Sequence, residues 1–96
     1  MSTADILENL EQLVGQKVTF SSGDLSFDAE LQKLDRLPQH GGEAHQPFSV
    51  IFLAEHPEPF EQQTYSMTHS QIDELLIFLV PIGPGEGGMR YEAVFN

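Results

Sequence analysis

The apolar positions of this chain follow two different periods. Ile6, Leu7, Leu10, Leu13 and Val14 recur at the spacing that gathers them on one face of a helix, with Asp5, Glu8 and Glu11 elsewhere. Ser2 and Asp5 have the spacing of a capping box, and Gly15 is a natural stop, so the pattern predicts a helix over 3–14. A helix this short needs a sheet to lie against. Beyond Gly15 the period falls to two. Val18 and Phe20 point inward from a strand at 17–21, and Ser21-Ser22-Gly23-Asp24 has the chemistry of a hairpin turn. Leu25, Phe27, Ala29 and Leu31 then alternate with Ser26, Asp28, Glu30 and Gln32. The spacing slips at Leu34 and Leu37, which a β-bulge near Gln32 or Lys33 accommodates, so one bent strand is expected over 25–36.

After a polar loop from Pro38 to Pro47, residues 48–54 are apolar on both faces except at Ser49, and 63–69 set Tyr65, Met67 and His69 against Thr64, Ser66 and Thr68. The run from Leu75 to Val80 shows no polar alternation. A strand over 74–80, covered on both faces, suits Ile77, Phe78, Val80 and the Pro81 stop. A buried helix capped by Ser70 is the alternative. Gly83 to Gly88 reads as a Pro/Gly-rich connection, and 88–95 as a final strand with Met89, Tyr91, Ala93 and Phe95 on one face. Phe48, Phe52, Phe78, Tyr91 and Phe95 are the expected aromatic core. The sum is a mainly β domain: about six antiparallel strands in a small roll or barrel, with one N-terminal helix packed on it. Short connections make sequential pairing the default.

Composition narrows the function. At 96 residues there is room for one domain and one core. Cysteine is absent, which removes disulfides, thiolate catalysis and sulfur-ligated metals. No signal-like segment opens the chain and no apolar run approaches bilayer length, so a cytoplasmic protein is expected. Fifteen acidic residues face four basic ones, for a net charge of −11, and the basic residues are scattered. Binding to nucleic acid or to an anionic membrane needs clustered lysine and arginine, so neither partner is expected.

The ending Phe78-Leu-Val-Pro-Ile-Gly83, a Gly-rich gap, then Gly88-Met-Arg-Tyr-Glu-Ala-Val-Phe-Asn96 resembles the ending of a small bacterial domain family of unknown function. Leu13-Val-Gly15, Pro47-Phe-Ser49 and Gln63-Thr-Tyr65 extend the resemblance over nearly the whole chain. It implies a stand-alone β-rich domain, in some members encoded near phage-tail-collar-like proteins, and an assembly or accessory role. It carries no catalytic residues.

Few residues propose chemistry. His40, Glu43 and His45 share one loop, and imidazole with carboxylate could bind zinc or another divalent ion if His56 or Glu55 supplied a further ligand. The alternative is a solvated polar loop. The glycines of 83–88 lack the following helix and Lys-Ser/Thr pair of a phosphate-binding loop. His69 is expected to be a partly buried ring with its hydrogen bonds met. Arg90, the only basic residue in the last sixty, is either an anchor for an anion or one side of a salt bridge with Glu92 or another carboxylate. No catalytic residue and no cofactor are implied. A non-enzymatic module that binds another protein is the favoured reading, with self-association allowed. A small metal-dependent enzyme or ligand-binding protein using the histidine-containing loops is the alternative.

Overall fold

The computed structural model describes residues 3–38, 46–56 and 59–95. Among them one helix, α1 (Thr3–Gln12), precedes six strands: β1 (Lys17–Ser22), β2 (Leu25–Arg36), β3 (Phe48–Ala54), β4 (Gln63–His69), β5 (Ile72–Gly85) and β6 (Gly88–Phe95). All neighbouring strands are antiparallel, and the sheet closes on itself in the order β1-β2-β3-β6-β5-β4.

Sequential pairing therefore holds within two three-stranded meanders but fails between them. β3 pairs with β6, and β1 closes the barrel against β4. The segment between β3 and β4 spans eight residues and contains two prolines. It is too long for a tight hairpin, and it carries the chain across to start the second meander. Closure pairs both edges that the two meanders would otherwise expose.

The barrel interior is filled by side chains. Phe20, Phe48, Phe52, Tyr65, Tyr91 and Leu79 are fully buried, and the rings of Phe20 and Phe52 meet edge to face at 4.9 Å. α1 contributes Leu7 and Leu10 to the same core, and Leu13 joins them from the turn that follows it. Its end is stitched to β2: the Gly15 N–H donates to the Leu31 carbonyl at 2.8 Å, and the Leu31 N–H donates to the Gln16 carbonyl at 2.9 Å. The expected bulge lies at this place, between Leu31 and Lys33, with Gln32 turned to solvent. Leu31 stays in the core, and past the bulge Leu34 is the residue of β2 that packs against it.

β5 departs from expectation in two ways. It does not stop at Pro81 but runs through Pro84 to Gly85, with a bulge between Pro81 and Gly83 where Gly83 takes φ +118°. Pairing with β4 ends at Leu79, so the last residues of β5 have only β6 beside them. Proline is tolerated on a segment with one free flank. The Gly-rich stretch thus contains strand, and the connection shrinks to Glu86-Gly87, because Gly85 pairs with Gly88. The second departure concerns the faces of β5. Ile77 and Leu79 are buried, but Leu76 and Phe78 point outward, so the strand is covered on one side only.

Candidate functional site

The outward face of β5 and β6 is the part of the surface that composition alone would not produce. Side chains alternate along a strand, so burying Ile77 and Leu79 turns Leu76 and Phe78 out, and burying Ala93 turns out Val94. Their exposures are 73%, 52% and 50%. Ile82, beyond the bulge, adds a fourth apolar side chain at 38%. On the neighbouring strand β4, Thr64 faces Phe78 and Ser66 faces Leu76, two short polar residues that leave the larger ones standing proud. The other strands do not repeat this pattern. The outward positions of β1 and β2 carry Lys17, Thr19, Ser26, Asp28 and Glu30. Single exposed apolar residues are ordinary, whereas a contiguous group of them marks an interaction surface.

The rim of this patch is acidic. Glu74 lies one outward step beyond Leu76 and accepts a hydrogen bond from the Ser66 hydroxyl, and Glu92 sits opposite Val80. On β3 the outward Ile51, opposite Glu92, is already buried beneath its neighbours, so the open apolar ground ends at β6.

Arg90 is outward on β6 between Leu53 and Gly83. Its stem lies over Gly85, where a Cβ would stand 2.8 Å from Arg90 Cγ and 3.0 Å from Cδ. No ion pair reaches it among the described residues, and its buried Nε has no hydrogen-bond partner. The expected bridge to Glu92 is absent. Two residues apart on one strand face, the side chains are about 7 Å apart at their roots, and the arginine folds the other way, toward the hairpin turn. The other three basic residues are paired: Lys17 with Glu55 at 3.5 Å, Lys33 with Asp35 at 3.4 Å, and Arg36 with Glu11 at 3.0 Å.

His40, Glu43 and His45 lie outside the described residues. His56 sits in an aromatic end-cluster, 4.1 Å from the Phe60 ring and 5.4 Å from Phe27. A shallow groove of about 320 Å³ runs beside it, lined by Lys17, Asp28, Glu30, Leu53 and Glu55. No group of three or more metal-ligating side chains forms among the described residues. Tyr91 and Tyr65 tie this end together. The Phe60 N–H donates to the Tyr91 hydroxyl at 2.8 Å, and the Tyr65 hydroxyl donates to the Glu61 carbonyl at 2.7 Å. Burial pushes the Tyr91 hydroxyl pKa up; the Phe60 hydrogen bond opposes this, and the nearby Tyr65 adds to it.

His69 is half-buried, with both ring nitrogens engaged. The Gln71 N–H donates to Nδ1 at 3.0 Å, which leaves Nε2 to donate to Gln16 Oε1 at 3.1 Å. That arrangement holds the ring as a structural link between β4 and the helix exit.

Of the residues expected to carry function, only Arg90 stands near the patch. Leu76 and Val94 were not foreseen as functional, and Phe78 was expected in the core. No helix among the described residues is long and apolar enough to cross a membrane. A family model described as a domain of unknown function, DUF6916, matches residues 6–95. No curated protein and no solved structure matches the chain.

Proposed function

The chain belongs to the DUF6916 family, domains of unknown function, and from that premise we propose that it is a non-enzymatic protein-interaction module that works as an accessory in a larger assembly. The observation that carries this reading is the outward trio Leu76, Phe78 and Val94 on a sheet face that nothing among the described residues covers. The interior of this six-stranded barrel is lined by fully buried aromatic and aliphatic side chains, as narrow barrels are, which favours recognition by the outer wall and the loops. The resemblance of the closing motif to domains encoded near phage-tail-collar-like proteins makes an oligomeric structural protein the first partner to try.

The test is paired affinity capture from the source organism's lysate, with the wild-type chain and the Leu76→Ser/Phe78→Ser variant. A stoichiometric partner held by the first and lost by the second supports the reading. Identical captures from both, or none from either alongside a monomer in solution, sink it.

A further inference from the structure

The patch has a chemistry that selects its occupant. We infer that the outer face of β5 and β6 takes a short segment of another protein whose apolar side chains are flanked by lysine or arginine, and not a second copy of this chain. The inference rests on the interaction reading above and adds the partner's chemistry.

Three observations lead to it. First, the rim charge is negative around Leu76, Phe78 and Val94, and Arg90 stands at the opposite, Ile82 end of the patch. Glu74 follows Leu76 on the same face of β5, and Glu92 precedes Val94 on the same face of β6. The basic side chains are engaged elsewhere: Lys17, Lys33 and Arg36 are each bound to a carboxylate. Arg90 is outward too, but it lies four residues along β6 from Val94, roughly 13 Å away at strand spacing, with its stem folded onto Gly85. Second, the whole chain carries −11. Two copies meeting at this face would bring glutamate against glutamate under that mutual repulsion, and like charges set opposite each other are the main device by which interfaces reject wrong partners. A cationic segment would meet the same field as attraction. Third, the area is small. Four partly exposed side chains offer a few hundred Å² at most, short of the roughly 800 Å² per partner of a standard interface. That footprint suits a peptide-length segment and falls short of a stable symmetric dimer.

The recognition is then simple physical chemistry. Apolar side chains of the segment cover Leu76, Phe78 and Val94 and remove them from water. Its cations pair with Glu74 and Glu92 at the rim, which sets the orientation and speeds the encounter. Thr64 beside the patch offers its hydroxyl to the segment's backbone, and Ser66, whose proton goes to Glu74, offers an acceptor oxygen.

The experiment uses the full chain and two labelled synthetic peptides of equal length and identical apolar residues, one alternating with lysine and one with glutamate. Fluorescence anisotropy is read at low and high salt, and sedimentation follows the chain alone. The lysine peptide is expected to bind at least about tenfold more tightly than the glutamate peptide, to weaken about tenfold in Leu76→Ser/Phe78→Ser, and to weaken less in Glu74→Gln/Glu92→Gln while losing most of its salt dependence. Because Glu74, Leu76 and Phe78 are exposed and Glu92 lies on the outer wall, partly buried, circular dichroism should show the barrel intact in both variants. Lysine-peptide binding that ignores Leu76→Ser/Phe78→Ser would place the attraction elsewhere on the acidic surface and overturn the inference. A dimer that this variant dissociates, with no peptide bound, would overturn the inference but keep the interaction reading. No peptide binding and no self-association in either form would remove both.

Discussion

Gly88 is pressed against the backbone of Ala54: a Cβ built on Gly88 would stand 1.8 Å from the Ala54 carbonyl oxygen. The turn into β6 can approach β3 this closely only because residue 88 has no side chain. Alanine at this position must push two paired strands apart, and we expect Gly88→Ala to lose about 3 kcal/mol or more in urea denaturation. Gly87, one residue earlier, gives the contrast. It has φ +90° and open space around it, so Gly87→Ala should cost only about 1–2 kcal/mol, from the backbone conformation alone. Equal losses at the two positions would contradict the close approach.

Tyr91 predicts an alkaline limit. Its hydroxyl is buried and its pKa is raised above the ordinary 10.0. The folded state therefore holds this proton more tightly than the unfolded chain. Stability from this source is constant below pH 10 and is lost as pH climbs from about 10 through the raised folded value. In Tyr91→Phe that alkaline decline should flatten. At neutral pH the variant should lose about 1–2 kcal/mol, because the Phe60 N–H is left without its acceptor. Chemical denaturation at a series of pH values checks both statements.

The helix should be a structural lid. Leu10 is fully buried under α1, whereas Val14, just past its end, is exposed. Leu10→Ala is expected to cost about 2–5 kcal/mol, and Val14→Ser less than about 0.5 kcal/mol. A small loss at Leu10 would show that the barrel stands without its helix.

Arg90 should be dispensable for folding. Its buried Nε lacks a partner and no carboxylate meets it among the described residues. Met at this position keeps the apolar stem over Gly85 and removes the unmet donor, so Arg90→Met should leave the unfolding midpoint unchanged or raise it. A drop of more than about 1 kcal/mol would reveal a partner for the guanidinium within the fold.

Period-two patterning revealed most of the barrel wall, since β1, β2, β4 and β6 each bury one alternating set against a common core, while β3 is legible as an apolar run buried on both faces. The slip from Leu31 to Leu34 even announced the bulge that joins β2 to the helix exit. Closure was not legible, because strand neighbours depend on which meander edge meets which, and no local spacing encodes that. The length of β5 was hidden by its prolines, which read as a stop unless one knows that β4 ends first and leaves a free flank. The patch was hidden by the same run. An unbroken apolar stretch suggests cover on both faces, yet the described residues hold a single ten-residue helix, spent with its exit on Leu7, Leu10 and Leu13. With no second layer among the described residues, apolar side chains on the outer wall face solvent, and that count of covering elements is the signal that could have exposed Leu76 and Phe78.

The last prediction separates the patch from the core. If Leu76 and Phe78 serve the fold, replacing them should cost what buried residues cost, about 2–5 kcal/mol each. If they serve a partner, the fold has nothing to lose. Their exposures of 73% and 52% leave little apolar area to forfeit, and polar substitution also removes a surface that favours aggregation. Serine is a weaker strand former than phenylalanine, which sets a modest penalty within the roughly 1 kcal/mol span of strand propensities. Leu76→Ser/Phe78→Ser should therefore unfold within about 1 kcal/mol of wild type and stay soluble at higher concentration, while Ile77→Ser, one residue away and buried, should fail to fold or lose several kcal/mol. Thermal and urea melts on the three proteins decide it. A large loss in the outward variant would mean that the outer wall of β5 is covered in the folded chain, and the case for a binding face would fall with it.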